Sequence, residues 1–383
     1  MKQKRHIIYL AGFIFSLAVA LMAYINSSFL SLFINEKLVG TVYALGSLAS
    51  VLALAIVPTI FRKIGGYKFL MWAIALDALS VLLFAFSKNS ASATVLFVAG
   101  FTLNILIYFS IDEFLEIVSK ESSTGKTRGS YLALSSLAWI VSQFLLGTML
   151  GGFSFQMIYF TSFTIMLILL AVVYAYFRRI PEPEYDKKTP AKAFRHFFKN
   201  KNLFRAYKMS FILQLFYSWM VIYTPIYLSA HIGFSWSEIG IIFSVMLLPF
   251  AIIPFPLGKY ADKIGERKIL MLGFLAASLA TLLIFFIKTS EVWIWALVLF
   301  ATRVGAASVE VATDTYFFKH IKPENEEFVG VYRSASPVAY ILGPLFASII
   351  FIFIPSFNFI YLILGAFMIY GIYLASTIRK NDI

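Results

Sequence analysis

Apolar residues occur along this chain in long unbroken blocks rather than in alternation. The blocks lie near residues 7–30, 38–60, 69–87, 92–114, 130–150, 156–177, 208–228, 237–257, 269–287, 292–316, 334–354 and 358–377. A helix rising about 1.5 Å per residue needs roughly 20 apolar residues to cross a hydrocarbon core. It also closes its backbone hydrogen bonds within the segment, which lipid demands. A membrane-spanning strand would alternate polar and apolar positions over about ten residues, and stretches such as Ile165 to Val173 do not. The pattern predicts twelve transmembrane helices and an all-α polytopic membrane protein.

Composition narrows this further. Of 383 residues, 60% are hydrophobic and 13% are charged, against about 25% charged in an ordinary soluble domain. Cysteine is absent, which excludes disulfides and thiolate metal sites. His6, His196, His231 and His320 fall in or beside connecting segments without metal-ligand spacing, so neither metal nor other cofactor is expected. No phosphate-binding glycine loop and no Ser/His/Asp constellation is visible. The chain reads as a non-enzyme.

The net charge of +13 could suggest nucleic acid, but its distribution follows topology. With the amino terminus inside, 27 of the Lys and Arg residues fall on inner segments and only Lys37, Lys88 and Lys288 on outer ones. That split follows the positive-inside rule and places both termini in the cytoplasm of a cell (inner or plasma) membrane. The inner cations are expected to attract anionic lipid. The first block follows Lys2, Lys4 and Arg5, as a signal peptide does. It is read as a retained span, because its removal would break the pairing of spans.

Residues 178–205, charged and holding three prolines, separate six spans from six. The expected organisation is a bundle over 1–177, a cytoplasmic central loop over 178–205 and a second bundle over 206–383. The halves repeat. Leu38-Val39-Gly40 answers to Glu238-Ile239-Gly240, and Lys63, Ile64, Gly65, Lys68 and Leu70 recur 200 positions later as Lys263, Ile264, Gly265, Lys268 and Leu270. Gly147 and Gly343 continue the series. Parallel repeats of this kind are one plan of secondary transporters.

The segment Gly258-Lys259-Tyr260-Ala261-Asp262-Lys263-Ile264-Gly265-Glu266-Arg267-Lys268 fits the pattern G-x-x-x-D-R/K-x-G-x-R/K-R/K between spans eight and nine. With Pro225-Ile226-Tyr227-Leu228, Gly233-Phe234-Ser235, Arg128-Gly129 and Pro181-Glu182-Pro183 in order, the chain resembles the major facilitator superfamily over its whole length. It departs in several places, among them span four, where Gly100 to Tyr108 holds no Arg, and the sugar-porter signatures, absent beyond a loose Pro-Glu. Pro58 and Arg62 stand where the first-half loop copy has Gly and Asp, and Gly147-Thr148-Met149-Leu150-Gly151-Gly152 has Thr where the drug-antiporter pattern has Pro. The resemblance implies two six-helix bundles rocking about a midplane cavity lined by spans one, four, seven and ten. It also implies a loop latch of Gly258, Asp262, Gly265, Arg267 and Lys268 facing Arg128; solvated charges on a turn are the plainer reading.

Ionisable residues inside the membrane are costly unless paired or facing a wet cavity, so each is a functional candidate. Span ten carries Arg303, Glu310 and Asp314, whose spacing puts them within about 40° of one another on a helix. Glu310 is the candidate proton-coupling carboxylate, with a purely structural Arg303–Glu310 pair as the alternative. Asp112 and Glu113 end span four as a gate network or as proton carriers, with Asp314 and Arg333 the second-half equivalent. Asp77 lies mid-span in helix three without an evident partner. Cavity helices offer Arg303, Asn26, Asn104, Tyr108, Gln143, Gln214, Tyr217, Tyr223 and Tyr340 to a substrate, with Trp219 and Tyr227 on the face of Tyr223. Packing and interfacial belts also use such residues.

The function expected is proton-coupled transport of a small organic solute by a monomer, with export of an amphipathic compound favoured. Proton-coupled uptake of a sugar or similar nutrient is the alternative. A lipid-headgroup flippase and a non-transporting receptor on the same fold are the rivals from other classes.

Overall fold

The computed structural model describes residues 2–118, 124–150, 154–180, 190–254, 256–257, 265–321 and 327–378. Side chains of residues 2, 3, 124–129, 150, 190–193 and 327 are outside that description. All regular structure among the described residues is helical. Eleven helical segments are long and apolar enough to cross a membrane, and Trp236–Ile252 is a shorter apolar helix of 17 residues.

The helices are α1 (Lys2–Ala23), α2 (Asn26–Leu30), α3 (Val39–Ile64), α4 (Gly66–Ala85), α5 (Ser90–Val118), α6 (Thr124–Leu150), α7 (Phe155–Tyr176), α8 (Pro190–Lys199), α9 (Lys201–Ile226), α10 (Trp236–Ile252), α11 (Glu266–Phe286), α12 (Val292–His320), α13 (Glu327–Arg333), α14 (Ala335–Phe353) and α15 (Phe359–Ser376). The first apolar block is therefore interrupted after Ala23. The segment between the halves is not wholly loop, since it holds a 3-10 turn over Phe177–Arg179 and the helix α8.

Contacts divide the chain into two units. The first comprises Met1–Asp186 with Ser235–Gly240, and the second Lys187–Phe234 with Ile241–Ile383. In the first, α1 packs on α6 and α7, α4 on α5 and α7, and α3 on α5. Ile8, Phe15, Phe61, Leu70, Ile107, Phe114 and Met166 belong to its core. In the second, α11 packs on α12 and α15, and α9 on α14, α12 and α15. Backbones approach closely there at Gly305 of α12, where a Cβ would lie 2.4 Å from the Ala277 nitrogen and 2.5 Å from the Gly273 oxygen. Small residues at such a crossing let backbones touch, which is how helices gain contact where lipid removes the hydrophobic drive. Large apolar side chains point outward, among them Trp72, Val95, Ile352 and Phe353. Hydrocarbon tolerates that surface where water does not.

The sequence repeat has a backbone counterpart. Gly65 starts α4 at φ 84°, ψ 150°, and Gly265 starts α11 at φ 83°, ψ 139°. An L side chain is strained at such φ, so the shared Gly of the repeat is required twice by the same turn.

Candidate functional site

On α9, Ser210, Leu213, Gln214 and Tyr217 fall at the i, i+3, i+4, i+7 spacing of one helical face. On α12, Glu310, Thr313 and Asp314 do the same. Packing these helices side by side brings the stripes together. Ser210, Leu213, Gln214, Glu310, Thr313 and Asp314 line one cavity of about 160 Å³, closed by Phe318, Tyr332, Arg333 and Ser336. Every lining residue belongs to the second unit.

Both carboxylates are held by tyrosines. The Tyr217 hydroxyl donates to Glu310 Oε2 at 2.9 Å, and the Tyr332 hydroxyl donates to Asp314 Oδ1 at 2.7 Å. Tyr332 is itself fixed, its ring stacked on Phe317 with centroids 4.0 Å apart and planes 6° from parallel. Glu310 is half-buried, whereas Asp314 and Arg333 are exposed at the mouth.

Arg303 sits one layer behind. It is 1% exposed. Its guanidinium carbon lies 5.2 Å from the Phe216 ring centroid and 5.6 Å from that of Tyr217. Nε and Nη1 have no hydrogen-bond partner, and no carboxylate lies within 4 Å among the described residues. A direct Arg303–Glu310 ion pair is therefore not formed. Tyr217 instead stands between them, its ring toward the cation and its hydroxyl on the carboxylate. A buried guanidinium with unmatched donors is expensive, and cation–π contact with two rings recovers only about 0.5–2 kcal/mol each.

The other candidates take various places. Gln214 lines the cavity, and Tyr217 is tied to it through its hydrogen bond to Glu310. Tyr223 does not reach it; it is fully buried beside Phe351 and Phe357, with its hydroxyl 3.4 Å from the Pro344 oxygen. Its face-mate Trp219 donates Nε1 to the Gly343 oxygen at 2.8 Å, tying α9 to α14. Tyr340 is half-buried on α14. In the first unit, Asn26 accepts from the Tyr159 hydroxyl at 2.9 Å. Gln143, fully buried, donates to the Ala20 oxygen at 2.8 Å and leaves Oε1 unmatched. Tyr108 is exposed, and Asp112 and Glu113 are half-buried on α5. Asn104 supplies the partner that Asp77 lacked in the sequence: its Nδ2 donates to Asp77 Oδ1 at 3.1 Å and to the Gly100 oxygen at 2.8 Å.

Of the loop motif, Gly258 and Asp262 lie outside the described residues, as does the Arg128 side chain. Arg267 and Lys268 are exposed. The variable position between them and Gly265 is the one that packs: Glu266 is 1% exposed and pairs with Lys319 at the end of α12. Sequence reasoning missed Glu266, Lys319, Ser210 and Tyr332. The heptad spacing of Ser210 and Tyr217 was available as a signal; Glu266 occupied a position that the motif leaves free.

Residues 211–382 match the family model of the Major Facilitator Superfamily. No curated protein matches the chain in sequence. Several solved transporter structures match in fold. The POT family transporter PepTSo has a TM-score of 0.78 at 11% identity, covering 98% of this chain and 97% of that one. The nucleoside transporter NupG has 0.76 at 12%, covering 97% and 98%. The human organic anion transporter MFSD10 has 0.67 at 14%, covering 98% and 99%. Eleven helices of spanning length among the described residues mark an integral membrane protein; its second half matches the Major Facilitator Superfamily model, and the whole chain shares its fold with solved transporters.

Proposed function

We propose that this protein is a proton-coupled transporter of a small organic solute, exporting an amphipathic compound across the cell membrane in exchange for protons. Glu310 is the proton carrier, and both termini are cytoplasmic. The observation that carries the coupling is the Tyr217 bridge. One side chain contacts an intramembrane carboxylate and a buried cation that has no carboxylate within ion-pair distance among the described residues. Any movement of α9 against α12 changes both contacts at once. Glu310 then alternates between accepting the Tyr217 hydroxyl and carrying a proton, which is the two-state element that coupling needs. Leu213 and Phe318 give the cavity an apolar wall, which suits an amphipathic cargo. The span-five Gly147-Thr148 segment, similar to the antiporter pattern, supports export.

The second reading, uptake of a hydroxylated nutrient with protons, draws support from Ser210, Gln214 and Ser336 on the same cavity. They can satisfy sugar hydroxyls in pairs.

The test is Glu310→Gln in proteoliposomes. The expected result is loss of the pH gradient's effect on transport while substrate exchange persists. Unchanged gradient-driven transport rejects the assignment. The direction of the gradient effect in the unaltered protein separates antiport from symport.

A further inference from the structure

The segment preceding the seventh span is a short amphipathic helix whose apolar residues are only partly used by the protein. In α8, Phe197 is fully buried and packs on Tyr207, Phe317 and Phe328. Phe194 and Phe198, three positions before it and one after, remain 40% and 36% exposed. Phe204, in the first turn of α9, is 39% exposed. Their rings form a ridge: Phe194–Phe198 centroids are 6.2 Å apart and Phe198–Phe204 5.4 Å. Cations border it. Lys208 Nζ lies 4.8 Å from the Phe204 centroid, and Arg195, Lys199 and Lys201 are exposed beside the ridge. None of these four pairs with a carboxylate among the described residues. Only Asn200 separates α8 from the membrane-spanning helix. Extended at φ −80°, ψ 115°, it caps α9 by accepting from Asn202 N and Leu203 N at 3.0 and 3.3 Å. The turn therefore holds α8 at the level where a span enters the headgroups.

We infer that α8 and the first turn of α9 form a binding site for anionic phospholipid, with Phe194, Phe198 and Phe204 inserted among the acyl chains and Arg195, Lys199, Lys201 and Lys208 on the phosphates. Aromatic rings with flanking Lys and Arg are the composition of interfacial helices, and juxtamembrane cation clusters select anionic headgroups. An acidic soluble protein is the competing occupant; the ridge's place one residue from a membrane-spanning helix favours lipid.

The absence of cysteine in the sequence permits a direct test. Phe194→Cys and, separately, Arg195→Cys are spin-labelled in nanodiscs containing phosphatidylglycerol. The label at 194 is expected to collide with oxygen in preference to a water-soluble nickel relaxant, and the label at 195 to show the reverse. In parallel, retention of phosphatidylglycerol over phosphatidylcholine is read by native mass spectrometry. Neutralising Arg195, Lys199 and Lys201 to Gln one at a time is expected to lower that preference by about fivefold per cation. These exposed positions leave the folded state intact, and substrate counterflow verifies it. Three results overturn the site: equal nickel accessibility at 194 and 195, shielding of 194 from both relaxants regardless of lipid, or an unchanged lipid preference in the Gln variants.

Discussion

The pair Glu266–Lys319 offers the sharpest energetic test. Glu266 opens α11 immediately after the positive-φ Gly265 and is 1% exposed; Lys319, near the end of α12, is 39% exposed. The contact is a charge pair rather than an aligned hydrogen bond, since Glu266 Oε1 accepts no hydrogen bond among the described residues. Replacing Lys319 by Met keeps the stem's length and packing but leaves a buried carboxylate alone. Breaking a fully buried pair costs about 3–5 kcal/mol. Here water reaches the lysine end, and the α11 amino terminus supplies partial positive charge worth about 0.3–1 kcal/mol. The expected loss for Lys319→Met is therefore about 1–2 kcal/mol. Glu266→Gln should cost less, about 0.5–1 kcal/mol, because Lys319, 39% exposed, can turn to water. The double variant should recover most of the Lys319→Met loss, giving a coupling energy near 1 kcal/mol. Denaturant unfolding in micelles, followed by the fluorescence of the six tryptophans, measures all four corners of the cycle. Additive single effects, or a Lys319→Met no worse than Glu266→Gln, would refute the reasoning that the buried carboxylate depends on this lysine.

Three further outcomes follow from the packing and the cavity. Gly305→Val places methyl groups where Ala277 and Gly273 backbone atoms already lie within about 2.5 Å of a Cβ, and should abolish monodisperse protein on size exclusion. Gly330→Ala, with open space around it, should leave the yield unchanged. Asn104→Leu removes the donor to the fully buried Asp77 and should cost about 1–3 kcal/mol. Asp77→Leu combined with Asn104→Leu should unfold at higher denaturant than Asn104→Leu alone. Tyr217→Phe deletes the hydroxyl on Glu310 while keeping the ring beside Arg303. It should change the pH dependence of proteoliposome transport and leave thermal stability within about 1 kcal/mol of the parent; an unaltered pH profile would remove Tyr217 from the coupling element.

Much was legible in the chain before any coordinates. Apolar block length dictates helices, because lipid leaves the backbone no other way to satisfy its hydrogen bonds. The repeated Lys-Ile-Gly marks a turn that only Gly makes cheaply, and both copies show it at nearly the same dihedral angles. The span-ten stripe is real in azimuth: Glu310 and Asp314 line one cavity.

Azimuth, however, is not depth or neighbourhood. Arg303 shares the stripe, yet seven residues place it about 10 Å along the axis from Glu310, under rings from another helix. Trp219, Tyr223 and Tyr227 share a periodic face that faces packing, not cavity, because in a span apolar all round periodicity cannot tell lipid, protein and cavity sides apart. Asp77 and Asn104 are 27 positions apart, so only the crossing of α4 and α5 could pair them. The order of residues decided which segments are helices and where the chain turns. The tertiary packing alone decided which polar groups meet, since inside a membrane a charge is stabilised by the few atoms within reach, and those atoms come from other helices.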